Sequence, residues 1–343
     1  MKALVKTQKG KGFLELRDVP EPTVKAGEVK IEIAACGICG TDVHVKHDQF
    51  PYWPPVILGH EFTGTIVEVG PECRSAKKGE RVVAEPHNRA CGVCYLCRTG
   101  NSQICAEKRS PGWGVDGGMA RYICYPEKLL HRIPEGMTFD QAAMVEPTAN
   151  VVTDVIERAK ITAGDFAVVI GPGPIGLLAA MAARAAGARE VVVVGTPADV
   201  DLRLKTAKDL GFTTINLAEK NPVEIVMAMT GGIGADLVIE CSGSPRAIPG
   251  TIDLVRKMGK ICVMGLTGNR NVEVPWDKFS FKVVDVIFNL STSYTSWDRT
   301  IALIHKGLIP AEKLITHKLP LAQWEEAFAA VENLQGLKAL LIP

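Results

Sequence analysis

The sequence predicts an α/β chain of two domains: a mostly β domain that carries metal-ligand residues, and a doubly wound nucleotide-binding domain. Three observations predict it. Residues 1 to about 150 break short apolar runs with Gly and Pro. Residues 164–176, "GDFAVVIGPGPIG", read as strand, glycine turn and helix start. After them, strand-like and helix-like patterns alternate. A length of 343 residues favours two domains.

The β runs of the first part are "VKIEIAAC", "FTGTIVEVG", "ERVVAEP" and "MARYICYP". The N-terminal "MKALVKTQKGKGFLEL" is charged throughout and does not read as a secretory signal. Phe166 to Ala183 is an 18-residue uncharged run, long enough to suggest a membrane span. Three glycines and two prolines interrupt it, so strand, sharp turn and buried helix fit better. The alternation continues with "EVVVVG" (190–195) as strand and "DLRLKTAKDLG" (201–211) as helix. The runs "ADLVIECSG" (235–243) and "KICVMG" (260–265) read as further strands. Continuous apolar runs suit a parallel sheet covered on both faces. Residues 288–343 hold two helical patterns, near "WDRTIALIHKGL" and "LAQWEEAFAAVEN", and a last strand, "ALLIP". Internal repeats and low-complexity segments are not evident.

Composition excludes some classes. Net charge is +1, from 39 basic and 38 acidic residues, so no electrostatic case exists for nucleic acid or anionic membrane. The hydrophobic fraction of 47% and charged fraction of 22% are those of a globular enzyme. Ten cysteines in a chain without a secretory signal favour metal binding over disulfides. A cytoplasmic location follows as the default.

Cys91, Cys94, Cys97 and Cys105 follow the spacing C-x2-C-x2-C-x7-C within "CGVCYLCRTGNSQIC". Four thiolates suit tetrahedral zinc and leave no open position, so the site reads as structural. An iron–sulfur cluster is the competing occupant. A second set is spread out: "CGICGTDVH" (36–44), "GHE" (59–61) and "MVEP", with Glu146. A catalytic zinc wants three protein ligands and one open position. Cys39, His60 and a glutamate supply a mixed S, N, O set, and Cys36 is left as a structural residue. Singly each is weak, since a lone cysteine is usually a small core residue.

In the glycine turn, Gly171, Gly173 and Gly176 permit the tight turn, close approach of a pyrophosphate, and helix-on-strand packing. Pro174 and Ile175 open the helix, whose free N–H groups face the phosphates. The acid that usually ends the second strand in NAD sites is absent, with Gly195 and Thr196 in its place. Asp199, Asp201 and Arg203 lie nearby. The reading leans to NAD, with NADP open. Gly265 and Leu266 complete the candidate cofactor set.

Taken in order, "CGICGTDVH", "GHE", the four-cysteine lobe and the glycine turn resemble the zinc-dependent medium-chain alcohol dehydrogenases over nearly the whole chain. "MVEP" resembles the Glu-Pro of the branch with polyol (sorbitol), threonine and butanediol dehydrogenases. The resemblance implies a barrel-like (GroES-like) catalytic domain from residues 1–150 and 288–343, and a Rossmann domain from 151–287. It implies two zinc ions, with Cys39 and His60 joined by Glu61 or Glu146 at the catalytic one. The implied reaction is reversible oxidation of a small-molecule alcohol, with hydride passed to a nicotinamide cofactor. Thr41 would accept the proton and His44 pass it to solvent, with Asp42 as a supporting carboxylate. A homodimer or homotetramer is implied too. The competing readings are a non-catalytic zinc and nucleotide-binding redox sensor, a zinc-finger protein, and a zinc-free quinone or enone reductase. His47, His87, His131, His305 and His317 read as structural or exposed. Trp53 and Trp113 read as packing or as a substrate wall, and "STSYTSW" (291–297) as facing the cofactor or a subunit interface.

Overall fold

The structure, a computed structural model, describes residues 1–268 and 271–343. The chain divides into two units. One comprises Met1–Ala149, Ser291–His305 and Ala311–Pro343; the other comprises Asn150–Leu290 and Lys306–Pro310.

The first unit opens with β1 (Lys2–Lys6), β2 (Leu14–Asp18), β3 (Glu28–Gly37), β4 (Val56–Ile57), β5 (Glu61–Val69), β6 (Arg81–Ala84), β7 (Tyr122–Pro126) and β8 (Leu130–Arg132). In β3, "EVKIEIAACG", half-buried and buried side chains alternate along the first residues. That period of two puts Val29, Ile31 and Ile33 on the core. Phe62, Ile66 and Tyr125 join the same apolar cluster. A helix over Phe139–Ala143 begins with a reciprocal cap between Thr138 and Gln141, which satisfies two otherwise free N–H groups.

In the second unit follow β9 (Phe166–Ile170), β10 (Glu190–Gly195), β11 (Thr213–Asn216), β12 (Ala235–Glu240), β13 (Val255–Val263) and β14 (Asp285–Phe288). All neighbours run parallel, in the order β11-β10-β9-β12-β13-β14. This is the doubly wound arrangement, with its reversal of strand order between β9 and β12. Every side chain of β9 is buried, as its unbroken apolar sequence requires. The 18-residue uncharged run divides into β9, a turn and the helix Pro174–Ala185. No helix among the described residues is long and apolar enough to cross a membrane.

Two elements differ from the sequence reading. β13 starts at Val255, five residues before the apolar run, because a register shift lets Ala235 pair with Val255 while Leu237 pairs with Lys260. The helix expected over 201–211 is a composite of a 3-10 turn (Pro197–Asp199), a π stretch (Val200–Leu204) and an α segment (Lys205–Asp209).

The chain ends in the first unit, with β15 (Ile315–Pro320) and β16 (Lys338–Ile342). β16 pairs antiparallel with β3, so the last strand lies beside one of the first. The larger sheet of this unit runs β15-β16-β3-β5-β6-β8, with β7 also on β3.

Residues 291–297 are bound into this unit more deeply than expected. Thr292, Ser296 and Trp297 are core residues, while Tyr294 and Thr295 are exposed. Trp297 Nε1 donates to Thr292 Oγ1 at 3.0 Å, and its ring stacks on His131. His131 is hydrogen-bonded on both nitrogens, to Glu85 at 3.0 Å and Asp298 at 2.9 Å. His87 Nε2 reaches the other Glu85 oxygen at 3.2 Å. Burial opposes charge on both partners, but the hydrogen bonds outweigh it: His131 is raised above 6.5 and Glu85 lowered below 4.5. The histidine contribution is fully present below pH 6.5 and is lost as pH rises through its raised value. The glutamate contribution is present above pH 4.5 and is lost as pH falls through its lowered value. The loss of thermal stability caused by His131→Gln is therefore expected to be largest between pH 4.5 and 6.5, and to shrink on either side. Melting curves of both proteins across pH check this; a pH-independent difference would rule out the charged pair.

Candidate functional site

The β3–β5 pairing builds the centre of the site. It sets Gly37 opposite Glu61, which brings the loop after β3 against the residues that open β5. A Cβ on residue 37 would stand 2.2 Å from Glu61 Oε2, so glycine is what lets the carboxyl fit. Cys39 caps the helix Gly40–Lys46, and its N–H donates to Asp42 Oδ2 at 2.9 Å. Asp42 Oδ1 accepts from Gly59 N–H at 3.3 Å, so one buried carboxylate ties both loops together.

Ligand atoms of Cys39, His60 and Glu61 all lie within 4.8 Å of one another. His60 is 4% exposed and Glu61 1%. His60 Nδ1 has no hydrogen-bond partner and stands 4.0 Å from Asp42 Oδ2. The Trp113 ring meets His60 edge-on at 4.8 Å, and Phe50 meets Trp113 at 5.5 Å. Burial works against charge on His60, yet the attraction of Cys39, then Asp42 and Glu146, lifts it to about 10. The surroundings thus demand a positive charge at this point. An S, N, O donor set, an orphaned imidazole nitrogen and that demand fit a zinc ion.

Glu61 has a partner that the sequence reading missed. Lys338 Nζ lies 2.5 Å from Glu61 Oε2 and donates also to the Ile38 carbonyl at 3.2 Å. Both side chains are buried. Burial pulls the lysine down, but Glu61 more than restores it and its pKa is raised. The available signal was a lone lysine inside the apolar ending "LKALLI". Glu146 lies in the first turn of the helix Val145–Val151, buried, outside the tight group of three. Its charge is felt by His60, Lys338 and Lys108. Thr41 Oγ1 is 3.8 Å from Cys39 Sγ. His44 is exposed on the last turn of its helix, 3.4 Å from Gln49 Oε1. Cys36 is a fully buried thiol that takes no part in the cluster.

Cys91, Cys94, Cys97 and Cys105 form the second group. Sulfur–sulfur distances are 3.9 Å (Cys91–Cys97), 3.9 Å (Cys94–Cys105) and 3.7 Å (Cys91–Cys105). A tetrahedron of Zn–S bonds near 2.3 Å has edges of roughly 3.8 Å, so these residues fit zinc without rearrangement. A helical turn, Tyr95–Arg98, lies inside the lobe. It turns Cys97 N–H onto Cys94 Sγ at 3.5 Å, and Cys94 N–H likewise meets Cys91 Sγ at 3.4 Å. The Cys91 N–H drawn to Cys105 holds that thiol down at about 7.

In the second unit, the candidate cofactor residues cluster at the carboxyl ends of β9, β10 and β13. Gly173 caps the twelve-residue helix that Pro174 and Ile175 open. A Cβ on Gly176 would lie 1.9 Å from the Gly171 carbonyl, so this packing admits no side chain. Gly195 ends β10. Thr196 donates from N and Oγ1 to Asp199 Oδ2 at 2.9 and 2.7 Å, and Arg203 Nη1 reaches Asp199 Oδ1 at 3.2 Å. Asp199 is therefore spent on the local turn. Gly265 sits against Gly243, and Leu266 is 79% exposed. Glu240, at the end of β12, was not anticipated: it is buried and accepts N–H groups of Ser242 and Gly243.

With this geometry in hand, comparison with known proteins is direct. Residues 25–135 match the alcohol dehydrogenase GroES-like domain, and residues 174–306 the zinc-binding dehydrogenase domain. The chain is 37% identical to a sorbitol dehydrogenase of Halalkalibacterium halodurans, covering 100% of this chain and 99% of the relative. It is 36% identical to the L-threonine 3-dehydrogenase of Bacillus subtilis (100% and 99%). It is 32% identical to the D-arabitol-phosphate dehydrogenase of Enterococcus avium (99% and 97%). Among solved structures, a zinc-binding dehydrogenase of Sinorhizobium meliloti bound to NADP superposes with a TM-score of 0.92 at 29% identity (100% and 99%). An Escherichia coli alcohol dehydrogenase complexed with NADH gives 0.90 at 30% identity (100% and 99%).

The Glu61–Lys338 pair yields a stability test. Lys338→Met leaves a buried carboxylate without its partner and is expected to cost about 3–5 kcal/mol in denaturant unfolding. Adding Glu61→Gln should recover part of that loss. An unchanged unfolding midpoint for Lys338→Met would show that another group balances Glu61.

Proposed function

The chain belongs to the zinc-binding alcohol dehydrogenases, and from that premise we propose how its own residues do the chemistry. The enzyme passes hydride between a secondary alcohol and a nicotinamide cofactor. The observation that carries the site assignment is the buried group of Cys39, His60 and Glu61, with its unpartnered His60 Nδ1.

In this reading those three residues hold the catalytic zinc. Lys338 takes one Glu61 oxygen and so fixes how the other is presented. Asp42 holds the Cys39 loop and the Gly59–His60 turn in register. Zinc bound there supplies the Lewis acidity that lets an alcohol give up its proton near neutral pH. Thr41 takes that proton at Oγ1 while passing its own hydroxyl proton onward, and exposed His44 releases a proton to solvent. Glu146 is the remaining carboxylate near the centre and is proposed to orient substrate or water. Trp113 and Phe50 exclude water from the side of His60. Cys91, Cys94, Cys97 and Cys105 hold a structural zinc.

Gly171, Gly173, Pro174, Ile175 and Gly176 are proposed to cradle the cofactor pyrophosphate at the helix N-terminus. Gly195, Thr196 and Arg203 would meet the adenosine ribose, and Gly265 and Leu266 the nicotinamide side. NAD is the preferred cofactor, with NADP as the alternative that titration decides. The substrate belongs with polyols, diols and amino alcohols, the class in which sorbitol, threonine and a phosphorylated polyol are named for relatives. Ten free cysteines support a reducing, cytoplasmic setting. A homo-oligomer is supported by edge strand β14 and the residues after it, where Val286, Phe288 and Leu290 are 40%, 66% and 64% exposed.

Zinc-loaded protein is expected to reduce NAD with sorbitol, xylitol, L-threonine or 2,3-butanediol. Cys39→Ala should lower kcat/KM by more than about 1,000-fold, the scale of losing a metal Lewis acid. Metal analysis should fall from two zinc ions per chain to one. Undiminished turnover in the variant would overturn the site. Light scattering should give a multiple of the 36.9 kDa chain mass that Phe288→Lys reduces.

A further inference from the structure

Lys108 is a cation placed where a cation is costly. It follows the fourth cysteine of the lobe by three residues. Its backbone is held on both sides: Lys108 N–H donates to the Cys105 carbonyl at 3.0 Å, and Arg109 exchanges two backbone hydrogen bonds with Arg89 at 2.7 and 3.1 Å. Its Nζ donates to Ser291 Oγ at 3.2 Å. Among the described residues no carboxylate forms an ion pair with it. Burial pushes the ammonium down to about 8, and the attraction of Glu146 returns only part of the loss. Glu146 acts on His60 as well, so Lys108 and the proposed catalytic centre share one carboxylate neighbour. A lysine is normally free to reach water along its flexible stem. This one is anchored at its base by the lobe, and its ammonium is held at the Ser291 hydroxyl. Such a group is half-desolvated and lacks a full counter-charge, and it suits an anion that arrives with a ligand.

We propose that Lys108 is a specificity residue that recognises an anionic group, a phosphomonoester or a carboxylate, on the alcohol substrate. The inference rests on the dehydrogenase reading above and narrows its substrate class. The lobe then has a purpose beyond stability: it aims Lys108. A neutral polyol would leave the ammonium unanswered, whereas a polyol phosphate or a hydroxy amino acid would complete it.

The test compares matched pairs, sorbitol against sorbitol 6-phosphate and L-threonine against L-threonine amide. One anionic member is expected to exceed its neutral partner in kcat/KM by about 100-fold, the scale of one charge-assisted hydrogen bond, mainly through KM. The pair that shows the preference identifies phosphate or carboxylate. Lys108→Met should collapse that ratio by a similar factor, and Lys108→Arg should keep most of it. Equal use of charged and neutral members by the native enzyme overturns the proposal and leaves the dehydrogenase standing. So does an equal loss on both members in Lys108→Met, which would make the lysine only a counter-charge for Glu146. Should no pair turn over, the dehydrogenase reading itself is in question. Calorimetric binding of sorbitol 6-phosphate and L-threonine to zinc-loaded native and Lys108→Met protein then decides, and binding that does not depend on Lys108 overturns it.

Discussion

A carboxylate almost wholly removed from water must be answered by a positive charge, and the first unit is arranged around that requirement at Glu61. Glu61 opens β5, yet its partner Lys338 lies on the last strand of the chain. For the two to meet, β16 must lie against β3, and β3 against β5, which is the order of the sheet. Breaking such a pair is far more damaging than never having built it, because the remaining charge has no route back to water. The same rule governs Cys39 and His60, where sulfur, carboxyl groups and imidazole are held together in a space that favours a cation. It governs Glu85 as well, which two histidines serve at once.

The parts of the fold legible in the sequence are those where one force acts alone. β9 and β10 are buried on both faces, so their apolar runs are continuous and their limits are plain. β11 and β14 close the two edges of the sheet, where β11 is half-buried and β14 largely exposed, and their short mixed sequences do not stand out. The first half of β13, "VRKMG", does not stand out either, because only Val255 pairs with β12 and residues 256–259 lie in the register shift. The composite helix after β10 was legible as helical and illegible in its turns, because Asp199 is drawn into a cap with Thr196 and Arg203.

Of the site, the side chains proposed to bind metal could be read from spacing, and the structure brings Cys39, His60 and Glu61 together as it does the four cysteines. The residues that govern their charge could not. Lys338 and Lys108 are lysines, and a lysine in a sequence reads as surface. Only the sheet order and the neighbouring carboxylates reveal that one is buried and the other half-withdrawn from water. Trp113 is similar: its aromatic ring was ambiguous until its edge was found against His60.

The two metal-binding groups differ in how far apart their parts lie along the chain. The four sulfurs of the lobe come from one stretch of 15 residues, Cys91 to Cys105, and need nothing beyond it to approach one another. The other centre draws on residues 39 to 61, and its charge balance waits for Lys338, 277 positions past Glu61. Local contacts close early and distant ones late, since loop-closure entropy must be met first. During synthesis the lobe is therefore complete while the chain is less than a third made. The catalytic centre has its full set of neighbours only after the final strand has left the ribosome and docked. The lobe can therefore take an ion on a nascent chain, whereas the group around Glu61 reaches its full charge balance only in a finished protein.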